Sequence, residues 1–140
     1  MRLHIVARGK IGRSPEAELV DRYLKRIKWD TKVSELPDQG GKNPKLDGET
    51  KIIAMDETGD NWTSKKFADQ LSRWRDDGIR ETRFLIGAAD GLSAEERARA
   101  DLFFSFGKAT WPHMMARAML AEQLFRATAI IAGHPYHREG

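Results

Sequence analysis

Short apolar runs with strand character alternate with capped, amphipathic helices along all 140 residues of the chain. That alternation constrains the fold more than any other feature, because it implies a mainly parallel sheet with helices on both faces. Leu3-His4-Ile5-Val6-Ala7 predicts a buried opening strand, closed by Gly9 and Gly12. Ser14-Pro15-Glu16 is a helix start: a capping hydroxyl, a proline in the first turn, then an acid at the positive end of the dipole. The helix runs to about Lys28, with Val20, Leu24 and Ile27 on one side and Arg22, Lys25 and Arg26 on another.

A short strand, Lys32 to Leu36, comes next, and Pro37 to Gly48 is a polar, Gly- and Lys-rich loop expected to be mobile. Thr50 to Asp56 predicts a strong strand ending in a turn at Glu57-Thr58-Gly59. Thr63 caps a helix carrying Phe67, Leu71 and Trp74, which Gly78 ends. Arg83 to Gly87 is a third strand that breaks into Ala88-Ala89-Asp90-Gly91, and Ser93-Ala94-Glu95-Glu96 supplies a capping box. Leu102 to Phe106 reads as a further strand, followed by a loop through Pro112 and a last helix. No repeat or boundary interrupts this order, so residues 1–140 are expected to form one α/β domain.

Composition removes several classes of function. The chain has no cysteine, which excludes disulfides and thiolate zinc sites. Met1-Arg2-Leu3-His4-Ile5-Val6 is too short for a signal peptide and leads straight into charge. The apolar stretch from Met114 to Ile131 contains Arg117, Glu122 and Arg126, which argues against a membrane span. A soluble cytoplasmic protein is the expectation. Residues 1–48 carry eleven Lys/Arg against seven Asp/Glu, whereas residues 49–140 carry thirteen against fourteen. The basic excess therefore sits in the first third, as a phosphate-facing surface requires.

Ligands of open α/β sheets bind beyond the carboxyl ends of the strands. Three such exits are unusual here: Met55-Asp56 leading to Gly59, Gly87 to Gly91, and Gly107-Lys108-Ala109-Thr110-Trp111-Pro112-His113. Gly87 and Gly91 permit close backbone approach to a ligand. There is no phosphate loop, no GxGxxG, no nucleophile elbow and no defensible pair of acids for glycoside chemistry. His134 and His137 lack a convincing third metal ligand. In the last helix Ala116, Leu120, Leu124, Ala127 and Ile131 make an apolar stripe that Met115 and Met119 broaden, and Glu122 and Arg126 are spaced for a pair. So wide a stripe suits an interface shared with core. After Gly133 the chain ends in His134-Pro135-Tyr136-His137-Arg138-Glu139, two imidazoles, a phenol and a guanidinium whose shape Pro135 restrains. A solvated, mildly basic tail is the plain alternative.

Taken together, Met55-Asp56, Leu85-Ile86-Gly87 with Asp90-Gly91-Leu92-Ser93, Thr110-Trp111-Pro112-His113 with Arg117, Ala121 to Arg126 and the His134–Glu139 tail resemble a known family. It is the ribosomal RNA large-subunit pseudouridine methyltransferases of the SPOUT class, and the resemblance runs from Leu3 to the end. It implies an α/β fold with a C-terminal trefoil knot, a homodimer, and S-adenosylmethionine-dependent methylation of N3 of a pseudouridine in a 23S rRNA stem-loop on the assembled ribosome. By position it implies cofactor contacts at Met55, at Gly87 and over Phe106, Gly107, Lys108, Ala109, Thr110 and Trp111. His113 and the tail residues His134, Tyr136, His137 and Arg138 then lie near the target base. The chain departs from the family at Ala88-Ala89, where a second glycine and often a proline are usual; the alanine methyl is expected to narrow the turn or change its φ.

The acceptor N3 becomes nucleophilic once its proton leaves, and a neutral imidazole suits that step near pH 7. His134, His137 and His113 are the candidate bases, with His134 first because Pro135 restrains it. Arg138 is placed to stabilise charge on the uracil oxygens or to grip a phosphate. Arg8, Lys10, Arg13, Arg22, Lys25 and Arg26 are the expected RNA contacts. Two alternatives are a non-catalytic ribosome-binding factor that has lost cofactor affinity and a related methyltransferase acting on tRNA.

Overall fold

Three helices begin where a side chain satisfies otherwise free backbone N–H groups. In the computed structural model, which describes residues 1–138, helix α1 (Pro15–Arg26) is capped by Ser14, whose hydroxyl accepts from Ala17 N–H. Helix α2 (Ser64–Asp76) is capped in the same way by Thr63, and α3 (Ala94–Arg99) by the reciprocal Ser93/Glu96 box. The last helix, α4 (His113–Ile131), follows Pro112 and has no side-chain cap.

The strands β1 (Arg2–Arg8), β2 (Thr31–Leu36), β3 (Thr50–Asp60), β4 (Glu81–Ile86) and β5 (Leu102–Phe104) form one sheet in the order β2-β1-β4-β3-β5. Every pairing is parallel. Side chains alternate across the sheet. Leu3, Ile5 and Ala7 join Phe67, Leu71, Leu120 and Leu124 in the main core, where α4 packs against both α1 and α2. Val6, Leu85 and Leu36 form a smaller cluster on the other face. That face is largely polar, and it carries α3, whose buried Glu96 pairs with Arg8 at 3.4 Å.

Several boundaries differ from the sequence reading. β3 runs through Glu57-Thr58-Gly59 to Asp60 instead of turning there, with a shift in its register to β5 between Met55 and Asp60. Gly59 lets the two strands touch, since a Cβ on it would lie 2.6 Å from the carbonyl carbon of Phe103. β5 stops at Phe104, because Ser105 turns the chain by bonding its hydroxyl to Gly107 N–H at 3.0 Å. β4 starts two residues early, at Glu81, whose carboxylate is buried against Arg83 and His4.

The loop over 37–48 is strapped to the polar face. Arg8 donates to the carbonyls of Pro37 and Gly40, and Arg83 to those of Pro44 and Lys45. Two cations that sequence patterning assigns to solvent are thus buried and committed to loop carbonyls. In α4 the core share is wider than the predicted stripe, since Ala118, Ala121, Phe125, Thr128 and Ala129 are also buried. Met115 and nearby Trp111 stay exposed, at 44% and 42%.

Candidate active site

All three unusual strand exits open into one cavity of about 490 Å³ at the carboxyl ends of the strands. β3 contributes Met55 to Thr58, the segment after β4 contributes Gly87 to Leu92, and the segment after β5 contributes Phe106, Gly107, Ala109, Thr110 and Trp111. His113, the first residue of α4, reaches the same cavity, while Lys108 is exposed outside the lining. The volume falls within the range of small-molecule sites, and such sites favour this position in a parallel sheet.

The turn after β4 is held by main-chain contacts. Gly91 N–H donates to the Ala88 carbonyl at 2.8 Å. A Cβ on Gly87 would sit 2.4 Å from the carbonyl carbon of Gly91 and 2.7 Å from Leu92 N, so only glycine fits. The close approach that Gly87 permits is therefore first to its own turn. Ala88 is accommodated without a positive φ. At the neighbouring exit Asp56 Oδ1 accepts from Thr58 N–H at 2.8 Å and from its hydroxyl at 2.7 Å, and Arg97 pairs with the same carboxylate. Thr110 Oγ1 donates to Glu57 Oε2 at 2.8 Å, tying the β5 exit to the β3 exit.

One side of the site is shaped by a residue that sequence patterning shows only as a charge interrupting an apolar helix. Arg117 is 1% exposed, the largest of the fully buried side chains. It donates to Glu35 at 2.5 Å and to the carbonyl of Gly9 at 3.1 Å, and Glu35 in turn accepts from Ile11 N–H at 2.8 Å. Partial burial pushes the Glu35 carboxyl upward, but the hydrogen bonds and charge of Arg117 outweigh it and hold the group below its usual range. This network fixes the Gly9–Ile11 loop against α4, where a Cβ on Gly9 would meet His113 Nε2 at 3.7 Å. Lys10, within this loop, and Arg13, just after it, are exposed. Arg22, Lys25 and Arg26 are also exposed, on α1. Arg8 is different: it is buried and committed to loop carbonyls and Glu96, so it is no phosphate ligand.

The tail lies elsewhere. Tyr136 packs edge-on against Phe125 with centroids 4.6 Å apart, donates to Glu122 at 3.2 Å and sits beneath Arg126. Burial and the Glu122 charge push its phenol upward. Arg126 closes the expected pair with Glu122 at 2.6 Å and also meets His137 Nδ1 at 3.0 Å. His134 and Arg138 are exposed; Glu139 lies outside the described residues. None of His134, Tyr136, His137 and Arg138 lines the cavity of its own chain. The cavity sits at the first turn of α4, at His113 and Ala116, whereas the tail packs on the later residues Glu122, Phe125 and Arg126.

A second, larger hollow of about 590 Å³ opens at the amino ends of the strands. Three of its charges are already engaged: Arg2 pairs with Asp30 at 2.8 Å and Arg75 lies 5.0 Å over the Trp29 ring. Among the described residues no cluster of three acidic, His or Cys side chains is placed to hold a metal, and no helix is long and apolar enough to cross a membrane.

A parallel α/β domain with a glycine-turn cavity at the carboxyl ends of its central strands is built as a small-molecule-binding enzyme domain. A family profile described as "Predicted SPOUT methyltransferase" matches residues 1–137, and the chain belongs to that family. Proteins named "Ribosomal RNA large subunit methyltransferase H" are similar to it along their whole length. The one from Rhizorhabdus wittichii is 66% identical over 140 residues, covering 100% of both chains. The one from Novosphingobium aromaticivorans is 67% identical over 141 residues, again covering 100% of both. A more distant one, from Bradyrhizobium diazoefficiens, is 41% identical over 159 residues, covering 99% of each. The solved structure of a probable methylase family protein from Haemophilus influenzae shares the fold, with a TM-score of 0.62 at 11% identity, covering 99% of this chain and 70% of that one.

Proposed function

We propose that the chain is an S-adenosylmethionine-dependent methyltransferase that methylates N3 of a pseudouridine in 23S rRNA on the assembled ribosome. The observation that carries this reading is the convergence of the three strand exits on one cavity in a chain whose full-length relatives are named as large-subunit rRNA methyltransferases. The cavity suits the cofactor on structural grounds: its volume matches a nucleoside-sized ligand, and its walls combine main-chain turns with the apolar Met55, Ile86 and Phe106. Met55, the Gly87 turn and the segment Phe106–Trp111 would hold it. When bound, it supplies a methyl group already activated on a sulfonium.

The protein's remaining work is alignment and removal of one proton. The base must take the proton from N3, and His113 is the one imidazole at the cavity of its own chain. His134 is the preferred base, and it reaches the cavity only from a second copy, because α4 separates the two within one chain. The reading therefore includes a homodimer in which the tail of each copy serves the cavity of the other. Exposed Met115 and Trp111 sit beside the cavity as apolar surface for that contact. Arg138 then faces the uracil oxygens or a phosphate, and Lys10 and Arg13 take the flanking backbone. A ribosomal substrate places the protein in the cytoplasm. The trefoil knot expected of the family would lie in the C-terminal part of the chain.

Calorimetric titration with S-adenosylmethionine tests the reading first. Saturable binding at one cofactor per subunit or per dimer supports it. No binding, with ribosomes present or absent, supports a non-catalytic ribosome-binding factor instead. Transfer of a labelled methyl group to tRNA and not to ribosomes moves the substrate assignment.

A further inference from the structure

One ion pair in the cavity is left over from the alignment and proton transfer just described. Arg97, from α3, is the only lysine or arginine among the lining residues, and it pairs with Asp56 across the cavity wall. The pair does not hold the carboxylate alone, because Thr58 donates twice to Asp56 Oδ1 while Arg97 meets Oδ2. Nor is it a buried structural bridge: the Arg97 side chain is 41% exposed, where an ion pair adds little stability. Yet the guanidinium is held in place, 5.1 Å over the Phe103 ring, and its remaining donors have no protein partner among the described residues. The rest of the lining is unfriendly to an anion, since it includes Asp56, Glu57 and Asp90.

We infer that Arg97 and Asp56 together receive an α-amino-acid zwitterion. A planar guanidinium presents two parallel N–H donors that match a carboxylate, and an aspartate oxygen accepts from an ammonium. An Asp–Arg pair is the charge complement of such a group, and inserting it exchanges one exposed pair for two. This inference rests on the cofactor reading above and deepens it: the amino-acid end of the cofactor lies against α3, and Arg97 is the positioning residue that selects ligands bearing a carboxylate. Because the cavity holds no other permanent cation, a ligand carboxylate placed elsewhere would face acids alone.

The test uses the intact protein and two ligands, S-adenosylmethionine and its decarboxylated analogue, which keeps the ammonium and sulfonium and lacks only the carboxylate. Both are titrated by calorimetry into the wild type, Arg97→Met and Arg97→Lys, with near-ultraviolet circular dichroism as a check of folding. The wild type is expected to prefer the carboxylate-bearing ligand by about 10- to 100-fold, the range of a hydrogen-bonded charged contact. Arg97→Met should bring the two affinities within about threefold by weakening only the first, and Arg97→Lys should keep part of the preference. An Arg97→Met protein that keeps the wild-type preference overturns the assignment and leaves the cofactor reading intact. A wild type that binds neither ligand, with or without ribosomes, overturns both.

Discussion

Replacing Arg117 by Met keeps most of the side chain's length and removes three hydrogen bonds from a site that is 1% exposed. The carbonyl of Gly9 and the Glu35 carboxylate lose their partner, and the weak bond to the Arg8 carbonyl at 3.4 Å goes as well. Orphaned acceptors cost about 1–3 kcal/mol each, and breaking a buried pair by deleting one member costs about 3–5 kcal/mol. The part-exposed Glu35 regains some hydration, which places the expected loss at about 3 kcal/mol at pH 7. The pH dependence is the sharper test. In the wild type the Glu35 carboxyl lies below its unfolded value of 4.5, so its contribution is complete above that pH and fades as the pH falls through the folded value. In Arg117→Met the opposing burial, the Ile11 bond and the Lys10 charge remain, and the folded value moves upward. The gap between the two proteins should therefore hold down to about pH 4.5 and narrow as the pH falls below it. Urea titrations followed by the fluorescence of the four tryptophans measure this gap directly. A deficit below about 1 kcal/mol at pH 7, or one that does not shrink below pH 4.5, would refute the account of Arg117 as the clamp of the Gly9 loop.

Three further outcomes follow from single features. Gly87→Ala must push a methyl into the Gly91 backbone, so it should abolish measurable cofactor binding and cost about 1–3 kcal/mol of stability; unchanged calorimetric affinity would show that the turn does not shape the site. His134→Ala should lower turnover by roughly 10²- to 10⁴-fold while cofactor affinity stays nearly constant, and an equal fall in both would remove His134 as the base. Ribosome affinity should fall steeply with salt, and neutralising Lys10 and Arg13 together should reduce the log–log slope by about 1.4–1.8, with a flat response in the wild type excluding the basic third as the RNA surface.

Much of the fold was legible because burial on the main face follows period. Leu3, Ile5 and Ala7 alternate, Phe67, Leu71 and Trp74 fall on one helical side, and each of the first three helices carries a capping residue where it was expected. The second face was not legible for the same reason. His4, Arg8, Glu81 and Arg83 are buried, but they are buried by partners: His4 bridges Glu81 at 3.1 Å and Ser34 at 2.7 Å, and burial holds its imidazole below the usual value. Patterning of apolar residues assigns such side chains to water, because the carbonyls and carboxylates that satisfy them lie up to 77 residues away. The strand order has the same character. Nothing in the run of elements states that β4 inserts between β1 and β3, yet that insertion sets the Gly87 turn between the Met55 exit and the Arg8–Gly9 loop.

The tail shows where reading a single chain reaches its end. His134, Tyr136, His137 and Arg138 carry the densest functional chemistry in the sequence, and the cavity at the opposite end of α4 carries the best-formed site. The tail packs back on the C-terminal half of α4, against Glu122, Phe125 and Arg126, and none of its described residues lines the cavity of its own chain. If both belong to one reaction, the missing element is a second copy, and its orientation is constrained: each tail must reach the first turn of the other copy's α4. A two-fold axis relating the two α4 helices in opposite directions satisfies this at both sites at once. Mixed dimers make the argument decisive. A Gly87→Ala subunit paired with a His134→Ala subunit combines one intact cavity with one intact tail from the other copy, so it should recover about half of the wild-type activity. Both parent homodimers should be inactive. A mixed dimer as inactive as its parents would mean that tail and cavity act in the same chain, and the shared site would have to be abandoned.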